Sequence, residues 1–272
     1  MRRSDLFEPD AEPIVAGLNE LISTLYDRGI YMTSWYGTFP GSSGEAPLRK
    51  LLNRLLGKGT GVGMDNRGKD YEPLPGAADD DRIPWYLYWE IVQVLLRGPK
   101  IGAGSKVLDA GGTGSLFTCY LASLGCEVHS IDLNEKLVTV GNRISAVMDW
   151  NMRSYAMDMG AIDFPDQSFD HAYSICVFEH LDYDVKQAAL RDIARILKPG
   201  GVLSITFDYR NPAPYLHASG PDTSERNRLS TAEDVERNFL STGLFELPED
   251  EPFRDNGESY LVHPGFNNTP YT

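Results

Sequence analysis

The stretch KVLDAGGTGSLFTCYLASLGCEVHSIDLNEKLV, residues 106–138, decides the fold. Val107 and Leu108 form an apolar run that ends at Asp109, and three glycines follow between Ala110 and Gly114. Leu116, Tyr120, Leu121 and Leu124 then recur at helical spacing until Gly125 stops the helix. Val128–Ile131 reads as a second short strand closed by Asp132. Strand, glycine turn, helix and strand make a parallel βαβ unit. In such a unit the turn lets a ligand approach the backbone, and the N–H groups at the helix start point towards it. A carboxylate at the tip of the second strand is placed to hold both hydroxyls of a ribose, about 20 residues after the first strand. Asp109 and Asp132 have that separation, so the segment reads as a nucleoside-cofactor site.

The turn also says which cofactor to expect. A dinucleotide fingerprint requires G-x-G-x-x-G, so that a pyrophosphate can rest on the helix N-terminus. Counting from Gly111, the second glycine position holds Thr113 and the third holds Leu116, so both fail. The segment instead resembles motif I of the class I S-adenosylmethionine (SAM)-dependent methyltransferases, D-x-G-x-G-x-G. Here Thr113 and Ser115 stand in for the second and third glycines, and Gly112 and Gly114 lie between. Three later segments resemble the same family in its order. YAMDMGAIDFPDQSFD, residues 155–170, is similar to the adenine-presenting loop, a role that falls on the Asp158 carboxylate and the Met159 N–H. AYSICVFEHL, residues 172–181, is similar to the fourth strand and its functional tip, with Ile175 on the strand and Glu179 and His180 just beyond. LKPGGVLSITF, residues 197–207, resembles the Pro-Gly-Gly turn and fifth strand.

The resemblance implies an α/β fold: a Rossmann-like, seven-stranded, mostly parallel sheet with helices on both faces, extended here by an N-terminal helical cap. It implies SAM as cofactor, held by Asp109, Gly111, Gly112, Thr113, Asp132, Leu133, Asp158, Met159 and Ile175. Asp109 either fixes the turn or reaches the cofactor's amino group. The family's sixth strand falls on Leu244–Leu247, and its antiparallel seventh on Ser259–His263. The chain divides into a cap or lid over residues 1–100, a SAM-binding core over 101–263 and a tail over 264–272. In the cap, Ile14–Tyr26 and Pro84–Leu96 have helical periodicity, Pro47–Leu56 suggests a shorter helix, and residues 57–63 and 68–81 are rich in turn-forming residues. Past the core, Ser230–Thr242 reads as a helix capped by Ser230 or Thr231, with Glu233 near the capping-box position.

Methyl transfer is an in-line displacement, and alignment alone supplies roughly 7–11 kcal/mol of barrier reduction. A base is required only where the acceptor must lose a proton. His180 is the candidate base, because imidazole titrates in the useful range, and Glu179 beside it completes the catalytic pair, either reaching the cofactor's methionine amino group or holding the next helix. Tyr36, Tyr86, Trp89 and Tyr209 are candidates for the acceptor pocket or its lid, with packing as the competing role for each ring.

The 272-residue chain carries a formal charge of −14. That balance argues against nucleic acid, which needs clustered Lys and Arg, and against anionic membrane surfaces. A small-molecule acceptor is expected, with the oligomeric state left open. Cys119, Cys126 and Cys176 are too few and scattered for a disulfide framework or a zinc site. No metal ligand set is read, the Asp79–Asp81 run being a solvated loop. Thiols of this kind suit a reducing, cytoplasmic setting. The expected activity is therefore SAM-dependent methylation of a small polar metabolite, at oxygen (a sugar, for example) ahead of nitrogen. The competing functions are a SAM-binding regulator without catalysis, allowed by Thr113 and Ser115, and a nicotinamide-dependent oxidoreductase.

Overall fold

The computed structural model describes residues 3–32, 36–39, 83, 85–209, 216–217, 220–221, 229–248 and 253. Its centre is a five-stranded sheet of β3 (Lys106–Ala110), β4 (Glu127–Asp132), β5 (Met152–Ala156), β6 (Phe169–Ile175) and β7 (Leu197–Thr206). The spatial order is β5-β4-β3-β6-β7, and every pairing is parallel. Parallel strands need crossover connections, which helices supply. Here they are α3 (Leu116–Ser123), α4 (Glu135–Met148) and α5 (Tyr183–Ile196). Both faces of the sheet are covered, which is why the strands read as apolar runs. Strand order reverses between β3 and β6, so their C-terminal ends diverge and leave a crevice there.

Two apolar clusters flank the sheet. On one face Val107, Val128, Met152 and Tyr173 pack with α3 and with two cap helices, α1 (Glu12–Asp27) and α2 (Trp85–Arg97). On the other, Leu108, Ala110, Ile131, Phe169 and Ala172 meet Leu190, Ile193 and Ile196 of α5. Val107 and Leu108 divide between the two faces because successive strand residues point opposite ways. Leu18 and Leu25 on α1 and Ile91 on α2 are completely buried; full burial of such a side chain contributes about 1.5–3 kcal/mol. The cap helices therefore share a core with the sheet. Tyr88 on α2 donates a 2.7 Å hydrogen bond to Asn19 on α1, which locks the pair.

Both periodic cap helices form within two residues of their predicted limits. The Pro47–Leu56 segment and the loops at 57–63 and 68–81 lie outside the described residues. The short antiparallel pair β1 (Tyr31–Met32) and β2 (Gly37–Thr38) occupies part of the aromatic segment after α1. Its second strand reaches the glycine turn, where the Gly37 N–H donates to the Gly114 carbonyl at 2.8 Å. Residues 216–217 and 220–221 form a second short antiparallel pair.

Three details differ from the sequence expectation. Among the described residues the main sheet has five strands, not seven. Leu244–Leu247 is not a strand: Gly243 turns the chain in a left-handed conformation (φ 67°), and Leu244 and Leu247 stay exposed and pair with no strand among the described residues. Ser259–His263 and the tail over 264–272 lie outside the described residues. The helix after the core is also shorter, α6 (Ala232–Asn238) followed by a 3-10 turn at Leu240–Thr242. Its capping box uses Thr231 with Asp234 rather than Glu233, because the partner must sit three residues beyond the cap.

Candidate active site

The crevice at the β3 and β6 tips holds a cavity lined by Asp109, Gly111, Gly112, Thr113, Ile175 and Cys176, among others. Tyr36 and Leu87 close it from the cap side. The turn is built around Asp109, which is completely buried. Its Oδ2 lies 2.5 Å from the Thr118 hydroxyl, and that hydroxyl also contacts the Gly112 carbonyl oxygen. One hydroxyl proton cannot serve both acceptors. A protonated Asp109 resolves the conflict by donating to Thr118, which then donates to Gly112. Burial raises the Asp109 pKa to about 7, with the Asp132 charge adding to the effect.

The glycines of the turn follow from this packing. Gly111 has φ 89°, and a Cβ there would lie 2.7 Å from a Val177 methyl carbon. A Cβ on Gly112 would collide with the Asp109 carboxylate. Ser115, at the third family glycine position, has a different job: its Oγ accepts from the Thr118 N–H at 3.0 Å and caps α3. Thr113 is buried against Gly141 of α4 and lines the cavity.

The fit to SAM rests on atoms these contacts leave over. Asp109 Oδ1 and Thr113 Oγ1 are buried without a hydrogen-bond partner, and such orphans are costly unless a ligand satisfies them. Both belong to residues that line the cavity. One Asp109 oxygen is engaged in the turn, and the other is left without a partner beside the cavity.

Asp132 stands half-buried at the β4 tip, where its Oδ1 accepts from the Asn134 N–H at 2.8 Å. Burial raises its pKa too. Leu133 beside it is exposed. The Asp158 side chain is exposed and accepts from the Gly160 N–H at 2.8 Å, while Met159 is buried in the second apolar cluster. These four lie at the β4 and β5 ends, outside the lining of the cavity that gathers Asp109, Gly111, Gly112, Thr113 and Ile175.

The β6 tip carries the catalytic candidates on a 3-10 turn, Phe178–His180. His180 is exposed; Glu179 is only 1% exposed. Cys176, between strand and turn, has φ 52°, a strained value for a residue with a Cβ. Its thiol donates to Glu90 Oε1 of α2 at 2.7 Å. Glu179 Oε1 accepts from the Asp208 N–H, just past β7, at 3.4 Å. Burial and the Asp208 charge push Glu179 up to about 8, and burial pushes Glu90 to about 7.

Of the aromatic candidates, Tyr36 lines the cavity. Trp89 donates from Nε1 to Asp5 Oδ2 at 2.8 Å and so ties α2 to the N-terminus. Tyr86 meets Trp85 edge-on, and Tyr209 packs edge-on against Phe207 and Phe253. Cavity residues missed from the sequence include Leu87, Phe117, Leu137, Cys176 and Val177. Only Cys176 carried a signal, its place next to Ile175 at a strand tip.

Strand order, glycine turn and carboxylate-tipped strands are those expected of a nucleoside-cofactor site. Residues 108–205 match the family described as a methyltransferase domain. A ubiquinone/menaquinone biosynthesis C-methyltransferase of Pseudomonas fluorescens is 29% identical over 198 residues, covering 67% of this chain and 72% of that protein. A ubiquinone biosynthesis O-methyltransferase of Xanthomonas oryzae pv. oryzae is 36% identical over 120 residues, covering 43% of this chain and 48% of the relative. Among solved structures, phosphoethanolamine N-methyltransferase 2 of Haemonchus contortus is 24% identical with a TM-score of 0.45, over 57% of this chain and 36% of that one. Among the described residues, no helix is long and apolar enough to cross a membrane.

Proposed function

We propose that this methyltransferase acts on a small polar metabolite that enters at the C-terminal edge of the sheet beneath the cap, with an oxygen as the preferred acceptor atom. The observation that carries this is the composition of the cavity. Glycine backbone, Asp109 and the orphaned Thr113 hydroxyl form one wall, while Tyr36 and Leu87 of the cap form another. Among the described residues no Lys or Arg lines it, which favours a neutral acceptor over a phosphorylated one. The named relatives, a C-methyltransferase and an O-methyltransferase, support a small-molecule acceptor of this kind.

SAM supplies an electrophilic methyl group on a sulfonium. When SAM is bound, Asp109 Oδ1 and Ile175 would hold its amino-acid end, Asp132 with Leu133 beside it would take the ribose hydroxyls, and Asp158 and Met159 would face the adenine. The chain's work is alignment and exclusion of water, with Tyr36 as the cap's contribution. A hydroxyl acceptor must also release a proton. Glu179, buried and raised to about 8 while no cation lies beside it, holds its own proton near neutral pH and is no base for this step. His180, on the same turn and open to solvent, accepts the proton and passes it to water. Small alcohols, sugars and phenols, and amines as the second class, should be screened with methyl-labelled SAM, using wild type, Asp132→Ala and His180→Ala. The expected pattern is a neutral hydroxyl acceptor, Asp132→Ala weakening SAM binding about 10-fold or more, and His180→Ala lowering turnover with SAM binding intact. Transfer only to phosphorylated or polymeric acceptors refutes the substrate class. Normal turnover in His180→Ala refutes the base.

A further inference from the structure

Beside the cavity, four acidic or thiol side chains from separate parts of the chain converge. Glu90 comes from α2 in the cap, Cys176 and Glu179 follow β6, and Asp208 follows β7. One donor atom each from Cys176, Glu179 and Asp208 lies within 4.8 Å of the other two. Donors on a tetrahedral ion at about 2.0–2.3 Å stand roughly 3.3–3.8 Å apart, so shifts of about 1 Å bring all three onto a single centre. Glu90 adds a fourth, its Oε1 already 2.7 Å from the Cys176 sulfur.

An acidic cluster alone defines no site, but two oxygens here are unaccounted for. Glu179 is 1% exposed, and its Oε2 is buried with no hydrogen-bond partner. Glu90 Oε2 is buried and unpartnered in the same way. Carboxylates that repel one another in a dry pocket are expensive unless a proton or cation neutralises them. The raised pKa values of Glu90 and Glu179 express that repulsion and loss of water. Burial lifts the Cys176 thiol as well, and the same three carboxylates add to the rise. A bound cation reverses each of these effects, and coordination deprotonates a thiol outright.

We propose that Glu90, Cys176, Glu179 and Asp208 form a binding site for a divalent first-row metal ion of the zinc type, shared between the cap helix α2 and the tips of β6 and β7. One thiolate with carboxylates suits such an ion better than Mg2+ or Ca2+, which take oxygen ligands. Cys176 also lines the cavity, so the ion lies against the acceptor's space. Because Glu90 belongs to the cap, the ion pins the cap to the sheet edge. The site stands independently of which acceptor is methylated.

The test uses the tag-free full chain stripped with a chelator. Co2+ is titrated while the near-ultraviolet thiolate-to-cobalt charge-transfer band is recorded, and Zn2+ and Mg2+ are titrated by calorimetry. The expected result is one equivalent of Co2+ giving the band, Zn2+ competing it away, and proton release on binding. Cys176→Ser should abolish the band, and Glu179→Gln and Glu90→Gln should each weaken binding by about 10-fold or more. Circular dichroism and SAM titration on each variant separate loss of the metal site from loss of the fold. Should Glu179→Gln not fold, Glu90→Gln on the cap carries the test. No band and no Zn2+ heat in the wild-type chain, or binding undiminished in Cys176→Ser and Glu90→Gln, overturns the proposal. SAM binding that persists without metal binding leaves the cofactor assignment standing and refutes the metal site alone.

Discussion

Asp109→Asn tests the architecture of the glycine turn at its most loaded atom. The carboxyl is fully enclosed, with Oδ2 on the Thr118 hydroxyl at 2.5 Å and Oδ1 unpartnered. Its pKa is raised from 3.8 to about 7, chiefly by burial. A carboxyl raised in this way leaves folding unaffected below pH 3.8. It removes stability progressively as pH climbs towards 7, because the unfolded chain releases the proton first. Between those limits the loss amounts to on the order of 4 kcal/mol. Asparagine mimics the protonated acid: its NH2 donates to Thr118 as the acid proton does, and it never ionises. The variant should therefore match wild type within about 1 kcal/mol near pH 4 and exceed it by up to about 4 kcal/mol at pH 8. The measurement is urea unfolding of both proteins from pH 4 to 8.5, with SAM absent. Calorimetry at pH 8 should show the opposite sign for function. The variant has lost the charge facing the cofactor's ammonium, so SAM affinity falls about 10-fold or more. A stability difference that stays flat across the pH range would refute the buried, proton-holding Asp109.

Two other substitutions probe separate parts of the structure. Gly111→Ala places a methyl 2.7 Å from Val177 at a position with φ 89°, so unfolding should be easier by about 2–4 kcal/mol and SAM titration should show weakened binding. Thr231→Ala removes one half of the capping box at α6, costing about 1 kcal/mol in denaturant unfolding while leaving SAM affinity unchanged.

Much of the fold was legible because its information is local. The run from Lys106 to Asp132 specifies strand, turn and helix through short apolar runs, glycines and helical spacing, and all of these act within a few residues. The same holds for α1 and α2, whose apolar stripes were readable although their partners were not. Leu244–Leu247 shows where this fails. An apolar run becomes a strand only beside an edge that can accept its hydrogen bonds, and no pattern within four residues says whether such an edge is near. Trp89 and Tyr36 make the same point for the site. Both are aromatic cap residues, yet one is held by Asp5 and the other faces the cavity.

The sequence by itself indicated where a cofactor would bind, since the glycine turn and the carboxylate expected to hold a ribose lie on one continuous βαβ unit. It also singled out Asp109, one of whose oxygens contacts Thr118 in the turn while the other is left without a partner. Only the tertiary structure decided which side chains gather beside the cavity. Cys176 was dismissed as an isolated thiol, and Glu90 had no reason to be linked to Glu179 across 89 positions. Packing α2 against the sheet brings Glu90 to Cys176, and the parallel pairing of β6 with β7 sets Asp208 beside Glu179. Burial then turns ordinary carboxylates into groups that hold protons near neutrality. Contact across the fold and removal of water are properties of the assembled chain, and neither is written in the spacing of its residues.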